Sequence, residues 1–298
     1  MRTLSIFTAA LLSAAAWAAP PVSMVATVEP HHGKEVPVLQ QGDLMVYHGK
    51  ERLQTTGFVP LKGDHADLQL ALLIDEAADP SLGTQFPDIR AFIDSQPPST
   101  AIGIGFMQNG TVRMTQDFSN DHSLAVKSLR LPIGNAGAGG SPYLSLSDFV
   151  KQWPTGATRR EAIMVTDGID RLGGPGPDNP YLDAAIADAR RAGVIVYAIY
   201  ARGMGHSGHS FWRMNWGQNY LSQLTDQTGG EAYYLGVQSP VAFAPYLEEI
   251  GRDLQNQYLV TFVPPTVKKA DFQNVKLRTE VPNADIASAD AVWVKPGQ

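Results

Sequence analysis

Apolar residues along this chain follow two kinds of pattern, and the change between them falls near residue 62. From residue 24 to that point, short extended segments alternate with turn signals at Gly33, Gly42-Asp43 and Gly49-Lys50, which predicts a small N-terminal β module over residues 24–62. Beyond it, continuous apolar runs alternate with segments of helical spacing. That is the pattern of an α/β fold, a doubly wound, mostly parallel sheet, here expected over residues 63–265. Residues 68–74, 101–106, 162–166 and 194–200 read as buried strands, and Asn109-Gly110 as a hairpin turn into residues 112–114. Helices are predicted where Phe86, Ile89, Phe92 and Ile93 recur before Pro97-Pro98, after the cap Asp121, and over residues 142–153, 182–191, 220–228 and 241–255. A short strand is expected at 232–234. Residues 258–263 are expected to close the main sheet, leaving 266–298 as a C-terminal β extension.

The first residues read as an export signal. Arg2, an apolar run over residues 4–12 and a small-residue stretch over 14–19 place a signal peptide at 1–18, cut after Ala18, with an uncleaved N-terminal tether as the alternative. The run is too short to hold a mature protein in a bilayer, so a secreted or periplasmic protein without membrane insertion after signal cleavage is expected. Cysteine is absent, which excludes disulfides, thiol chemistry and Cys-ligated zinc. With 23 basic and 29 acidic residues the net charge is −6, and there is no basic run, which argues against a nucleic-acid partner.

Two carboxylates follow buried strands directly, Asp75 after residues 70–74 and Asp167 after 163–166. In doubly wound sheets ligands gather at the carboxyl ends of strands, so the pair is expected to face one crevice. The Gly139-Gly140-Ser141 turn opens a helix between them in sequence, and its hydroxyl is expected on the same rim. Carboxylates with a hydroxyl form a hard oxygen set suited to Mg²⁺ or Ca²⁺.

These segments resemble the von Willebrand factor type A (VWFA) family, in particular exported bacterial members in which a short β module precedes the domain. Residues 44–50 are similar to the module's strand and turn, and Leu72-Leu73-Ile74-Asp75 to the family's first strand. Gly139-Gly140-Ser141-Pro142-Tyr143-Leu144 and Val165-Thr166-Asp167-Gly168 are similar to the later motifs. The resemblance implies a metal-ion-dependent adhesion site built from Asp-x-Ser-x-Ser, a Thr and a further Asp. Here that site is degenerate. The first motif is Asp75-Glu76-Ala77-Ala78-Asp79, with Ala77 at the first serine position, Asp79 at the second, and Ser141 in place of the Thr. Asp75, Asp79, Ser141 and Asp167 are the candidate ligands, and both a Ca²⁺-preferring site and a solvated acidic rim without metal remain open. If the rim is the binding surface, removing Asp167 should weaken capture of the partner and leave stability nearly unchanged, as suits an exposed acidic cluster.

A loop over residues 203–216 carries His206 and His209 and then Phe211-Trp212-Arg213-Met214-Asn215-Trp216. Trp212, Arg213 and Trp216 are the candidate partner-binding residues, because Trp and Arg dominate binding hot spots; pinning the loop to the domain is the alternative role. The enzymatic patterns break at particular residues. Gly205-His206-Ser207 lacks the closing glycine of a nucleophile elbow, Ala77 stands where a phosphotransferase would need a second carboxylate, and the glycines at 134–139 match no phosphate loop. The expectation is therefore a non-enzymatic module binding a protein or another extracytoplasmic ligand. The alternatives are a structural component of an envelope complex with an unused rim, and a metal-dependent hydrolase.

Overall fold

The computed structural model describes residues 20–135, 140–154, 159–205, 210–236 and 238–296. The signal segment 1–18, Gly139, His206 and His209 lie outside the described residues. The chain enters through strands β1 (Val22–Pro30), β2 (Leu44–His48), β3 (Glu51–Leu53) and β4 (Thr55–Pro60). The alternation of a sheet and its covering helices follows, through β5 (Leu68–Asp75), α1 (Phe86–Ser95), β6 (Thr100–Gln108), β7 (Thr111–Ser119), α2 (His122–Ser128) and α3 (Pro142–Gln152). It continues through β8 (Arg159–Thr166), α4 (Pro180–Ala192), β9 (Val194–Tyr200), α5 (Phe211–Thr228), β10 (Ala232–Tyr233) and α6 (Ala244–Gln255).

The main sheet has the order β10-β9-β8-β5-β6-β7, parallel throughout except for β7, which folds back on β6 through the Asn109-Gly110 turn. Its inner strands are apolar on both faces because both faces are covered. Leu70, Leu72 and Ile74 pack with Ile89 and Phe92 of α1 and with Leu247 and Ile250 of α6 on one side. Leu73, Met164 and Val196 pack with Tyr143 and Leu146 of α3 and Leu221 of α5 on the other. This is the doubly wound, mostly parallel α/β architecture that the sequence pattern predicts.

Residues 258–263 do not close that sheet. Strand β11 (Gln257–Phe262) pairs antiparallel with β1 and β4, and β1 also pairs with β14 (Ala284–Ser288), giving a separate sheet of order β14-β1-β11-β4. The physical reason is a period of two: Tyr258, Val260 and Phe262 are buried while Leu259 and Thr261 between them are not, as suits a strand with one covered face. The segment 24–62 is likewise not a free-standing module. Strand β13 (Lys276–Thr279) pairs with β2, and β12 (Asp271–Asn274) with β15 (Ala291–Val294). One core joins Ala26, Val28 and Val46 from the start of the chain to Val260, Phe262, Leu277 and Val294 from its end. The two ends of the chain thus make one β sandwich, and the α/β domain is inserted between them.

Residues 211–216, expected as loop, are helical. Helix α5 runs unbroken to Thr228, setting Trp212, Trp216 and Tyr220 in contact at successive four-residue steps, edge-on and then tilted, with ring centroids 5.9 and 5.7 Å apart. Its interior Gly217 is required by close approach, since a Cβ there would collide with the carbonyl of Asp167.

Candidate functional site

The carboxyl ends of β5 and β8 lie side by side, with Ile74 opposite Val165, so Asp75 and Asp167 do meet. Their exposure corrects the sequence-based expectation: each is only 1% accessible. Asp75 accepts the Ala77 N–H at 2.9 Å on one oxygen and the Thr166 hydroxyl at 2.7 Å on the other. Burial, and then the charge of Asp167, push its pKa up to about 6, with Arg171 pulling the other way. Asp167 accepts the Ile169 N–H at 2.9 Å and receives the Arg171 guanidinium, with Nη2 2.7 Å from Oδ2 and Nη1 3.4 Å from Oδ1.

Ser141 is brought near these residues but serves a different carboxylate. It caps α3 by accepting the Leu144 N–H at 3.2 Å and donates to Asp170 Oδ2 at 3.0 Å. Asp170 is itself buried and also accepts from Asn179, Leu172 and Gly173, which ties the loop after β8 to the starts of α3 and α4. Asp79 caps the 3-10 turn Pro80–Gln85 by accepting the Ser81 N–H.

A divalent ion does not fit this donor set. Ca²⁺ needs six to eight free oxygens and Mg²⁺ a near-octahedral shell. Here both oxygens of Asp75 and of Asp167 already accept hydrogen bonds, and Ser141 points its proton at Asp170. Among the described residues no group of three or more His, Asp or Glu is placed to hold a metal.

The residues that complete the site were not singled out in the sequence. Thr166, read as a strand and motif residue but not as a ligand, supplies the hydroxyl that donates to Asp75. Arg171 had a visible signal, a base four residues after Asp167. Glu76, next to Asp75, is buried and paired with Arg130, whose guanidinium also lies 3.7 Å from the Phe106 ring centroid; it accepts the Ile133 N–H at 2.7 Å as well. This pair fastens residues 129–134 over the end of the sheet.

Around this closed, polar centre the surface is apolar. Leu131, Ile133, Leu172, Phe211, Trp212, Leu235 and Val241 are all exposed large hydrophobic side chains, and they lie on connections and on the first turn of α5 at the carboxyl end of the parallel strands. Phe211 and Trp212, on the first turn of α5, are 68% and 61% accessible. Trp216 is half-buried against the core, and with Arg213 it lines a narrow crevice under residues 169–175. Of the three expected partner-binding residues, Trp212 is therefore the most open to a partner.

No family model matches the chain, and no curated protein matches it. Solved structures that it resembles include an aerotolerance-related membrane protein from Bacteroides fragilis, at 13% identity over 63% of this chain and 98% of that one, with a TM-score of 0.46. The SpRpn10 VWA domain is similar at 11% identity over 62% of this chain and 92% of that one, with a TM-score of 0.35. Three N-terminal domains of the type V pili tip protein Mfa5 from Porphyromonas gingivalis align over 94% of this chain and 67% of that one, at 8% identity and a TM-score of 0.42. These likenesses concern the path of the chain, and what the site does has to be read from its side chains. Among the described residues no helix is long and apolar enough to cross a membrane.

Proposed function

We propose that this chain is an exported, non-enzymatic protein-binding module in which the metal-ion-dependent adhesion site of the resemblance is degenerate, and that its partner docks on the apolar rim around that site. The observation that carries this reading is the gathering of exposed apolar side chains, Trp212 and Phe211 foremost, on the one end of the sheet where this architecture presents its loops. An exposed Trp beside Phe and Leu supplies the large, rigid contact area from which binding hot spots are made. The buried carboxylates beneath act as the frame that holds these connections in place. A second reading, a structural component that makes its contact through the β sandwich, is favoured by Val38, which is 77% accessible on the connection between β1 and β2. A photo-crosslinking residue placed at Trp212, at Leu172 and at Val38 in the native host separates the two. A discrete adduct from the first two positions and none from Val38 is expected; an adduct from Val38 alone would transfer the function to the sandwich.

A further inference from the structure

The two carboxylates at the carboxyl ends of β5 and β8 cannot both be buried as anions without a cation beside them, because desolvation and mutual repulsion act together against their charge. In the architecture this chain resembles, a divalent ion supplies that cation. We propose that in this protein the Arg171 guanidinium is the resident cation of the site, so that a side chain permanently fills the place of the ion and the rim keeps its shape without metal. The inference stands apart from what docks on the rim and does not depend on it.

Three observations carry it. First, the guanidinium lies fork-on against Asp167, with Nη2 at 2.7 Å and Nη1 at 3.4 Å, and Nη1 also donates to the Ile169 carbonyl at 3.1 Å. Its side chain is only 10% accessible, which makes this a buried ion pair. Burial disfavours the guanidinium charge, yet Asp167 and Asp75 together hold its pKa above the usual arginine value. Second, Arg171 is held by the rim itself, its N–H donating to the Gly140 carbonyl at 2.9 Å, immediately before Ser141. The cation is thus placed by the same segment that the resemblance would use to reach a metal.

Third, the face by which a hydrated ion would enter is covered by backbone. Residues 201–204 cross over the pair: Ala201 N–H donates to the Thr166 carbonyl at 3.0 Å, Asp79 N–H to the Arg202 carbonyl at 2.8 Å, and Met204 N–H to the Ala77 carbonyl at 2.8 Å. Gly203 lies so close that a Cβ there would collide with Asp167 Oδ2 and stand 2.9 Å from Arg171 Nη2. Ala77, where the resemblance calls for a serine ligand, offers this crossing segment its carbonyl and its small side chain. Ala77 and Arg171 therefore act together: one leaves out a ligand to the ion, and the other brings a replacement for the ion itself.

Thermal unfolding of the mature chain tests the proposal. The wild-type melting temperature should be the same with millimolar Ca²⁺, Mg²⁺ or Mn²⁺ as with a chelator. Arg171→Ala should lower it by roughly 6–15 °C, as the loss of one partner of a buried pair does in a chain of this size, and adding Asp167→Asn to that variant should recover much of the loss by removing the stranded charge. If Arg171→Ala does not fold at all, folding of the double variant is the supporting result. A saturable rise of the wild-type melting temperature with any of the ions would overturn the proposal, and so would a double variant no more stable than Arg171→Ala.

Discussion

The two ends of the parallel sheet bury carboxylates in opposite ways. At the carboxyl end, Asp75 and Asp167 are met by Thr166, by backbone N–H groups and by Arg171, so that every oxygen has a donor. At the amino end, where the sheet abuts the β sandwich and α6, Glu161 is fully buried and neither of its carboxyl oxygens has a hydrogen-bond partner among the described residues. The Tyr197 hydroxyl near it, and that of Tyr233, are also without a hydrogen-bond partner among the described residues. The nearby arginine is engaged elsewhere: Arg159 donates to the Leu254 and Ala66 carbonyls and to Gln257, and so clamps both passages between the α/β domain and the sandwich. Burial pushes Glu161 up to about 7 against the pull of Arg159. Asp253 of α6 rises to about 8, through burial and then Glu29, and Glu29 of β1 to about 7, through burial and then Glu231, Glu249 and Asp285. One end neutralises its carboxylates with a cation, and the other with protons.

The contrast predicts opposite responses to losing a carboxylate. Asp167→Ala strands Arg171 in the interior and should cost about 3–5 kcal/mol in chemical unfolding, the figure for breaking a buried pair. That reverses the expectation, drawn from sequence, that this residue sits in an exposed acidic cluster and can be removed freely. A loss below about 1 kcal/mol would show the pair to be solvated and would break the comparison at its strong end.

Glu161→Gln should act in the other direction. The folded pKa of Glu161 is raised, so its contribution to stability is complete below the unfolded value near 4.5 and is lost as pH rises through about 7. A neutral amide has no such dependence. The variant should match the wild type near pH 4.5 and exceed it by roughly 2–3 kcal/mol at pH 8.5. Equal stability of the two proteins at pH 8.5 would mean that Glu161 finds a partner that makes its charge tolerable.

Gly203→Ala sharpens the comparison at the paired end, because the added methyl collides with Asp167. A loss of about 1–3 kcal/mol, the usual result of overpacking, is expected. The smallest effect on stability belongs to Trp212→Ala, within about 0.5 kcal/mol for so exposed a side chain. Its binding to a crosslinked partner should nevertheless weaken by about 1–3 kcal/mol. Trp216→Ala, half-buried against the core, should lose stability as well, and equal behaviour of the two variants would remove the distinction drawn between them.

What sequence shows and what it hides divide along the same line. The buried strands and the adjacency of Asp75 and Asp167 were legible because apolar runs and strand-end carboxylates are local patterns. The β sandwich was not, because β1 and β14 lie more than two hundred residues apart and nothing local states that they pair. Trp212, Trp216 and Tyr220 carried a helical spacing that the surrounding Gly, Ser and His residues obscured. Arg159-Arg160-Glu161 looks like a solvated charge run opening a strand, and only the sandwich packed against it makes Glu161 a buried acid.

Proton uptake on refolding, followed with a pH indicator in weakly buffered solution at pH 6, tests the contrast between the two ends most directly. An unfolded chain at that pH has released nearly all its carboxyl protons, whereas in the fold Glu29, Glu161 and Asp253 hold theirs and Asp75, at the other end, is half protonated. Uptake of on the order of three protons per chain is predicted, most of it at the amino end. It should fall by about one in Glu161→Gln and stay unchanged in Arg171→Lys, which keeps the cation at the other end. Refolding with no uptake, or with release of protons, would contradict the account, since the amino end of the sheet would then be burying its carboxylates as anions.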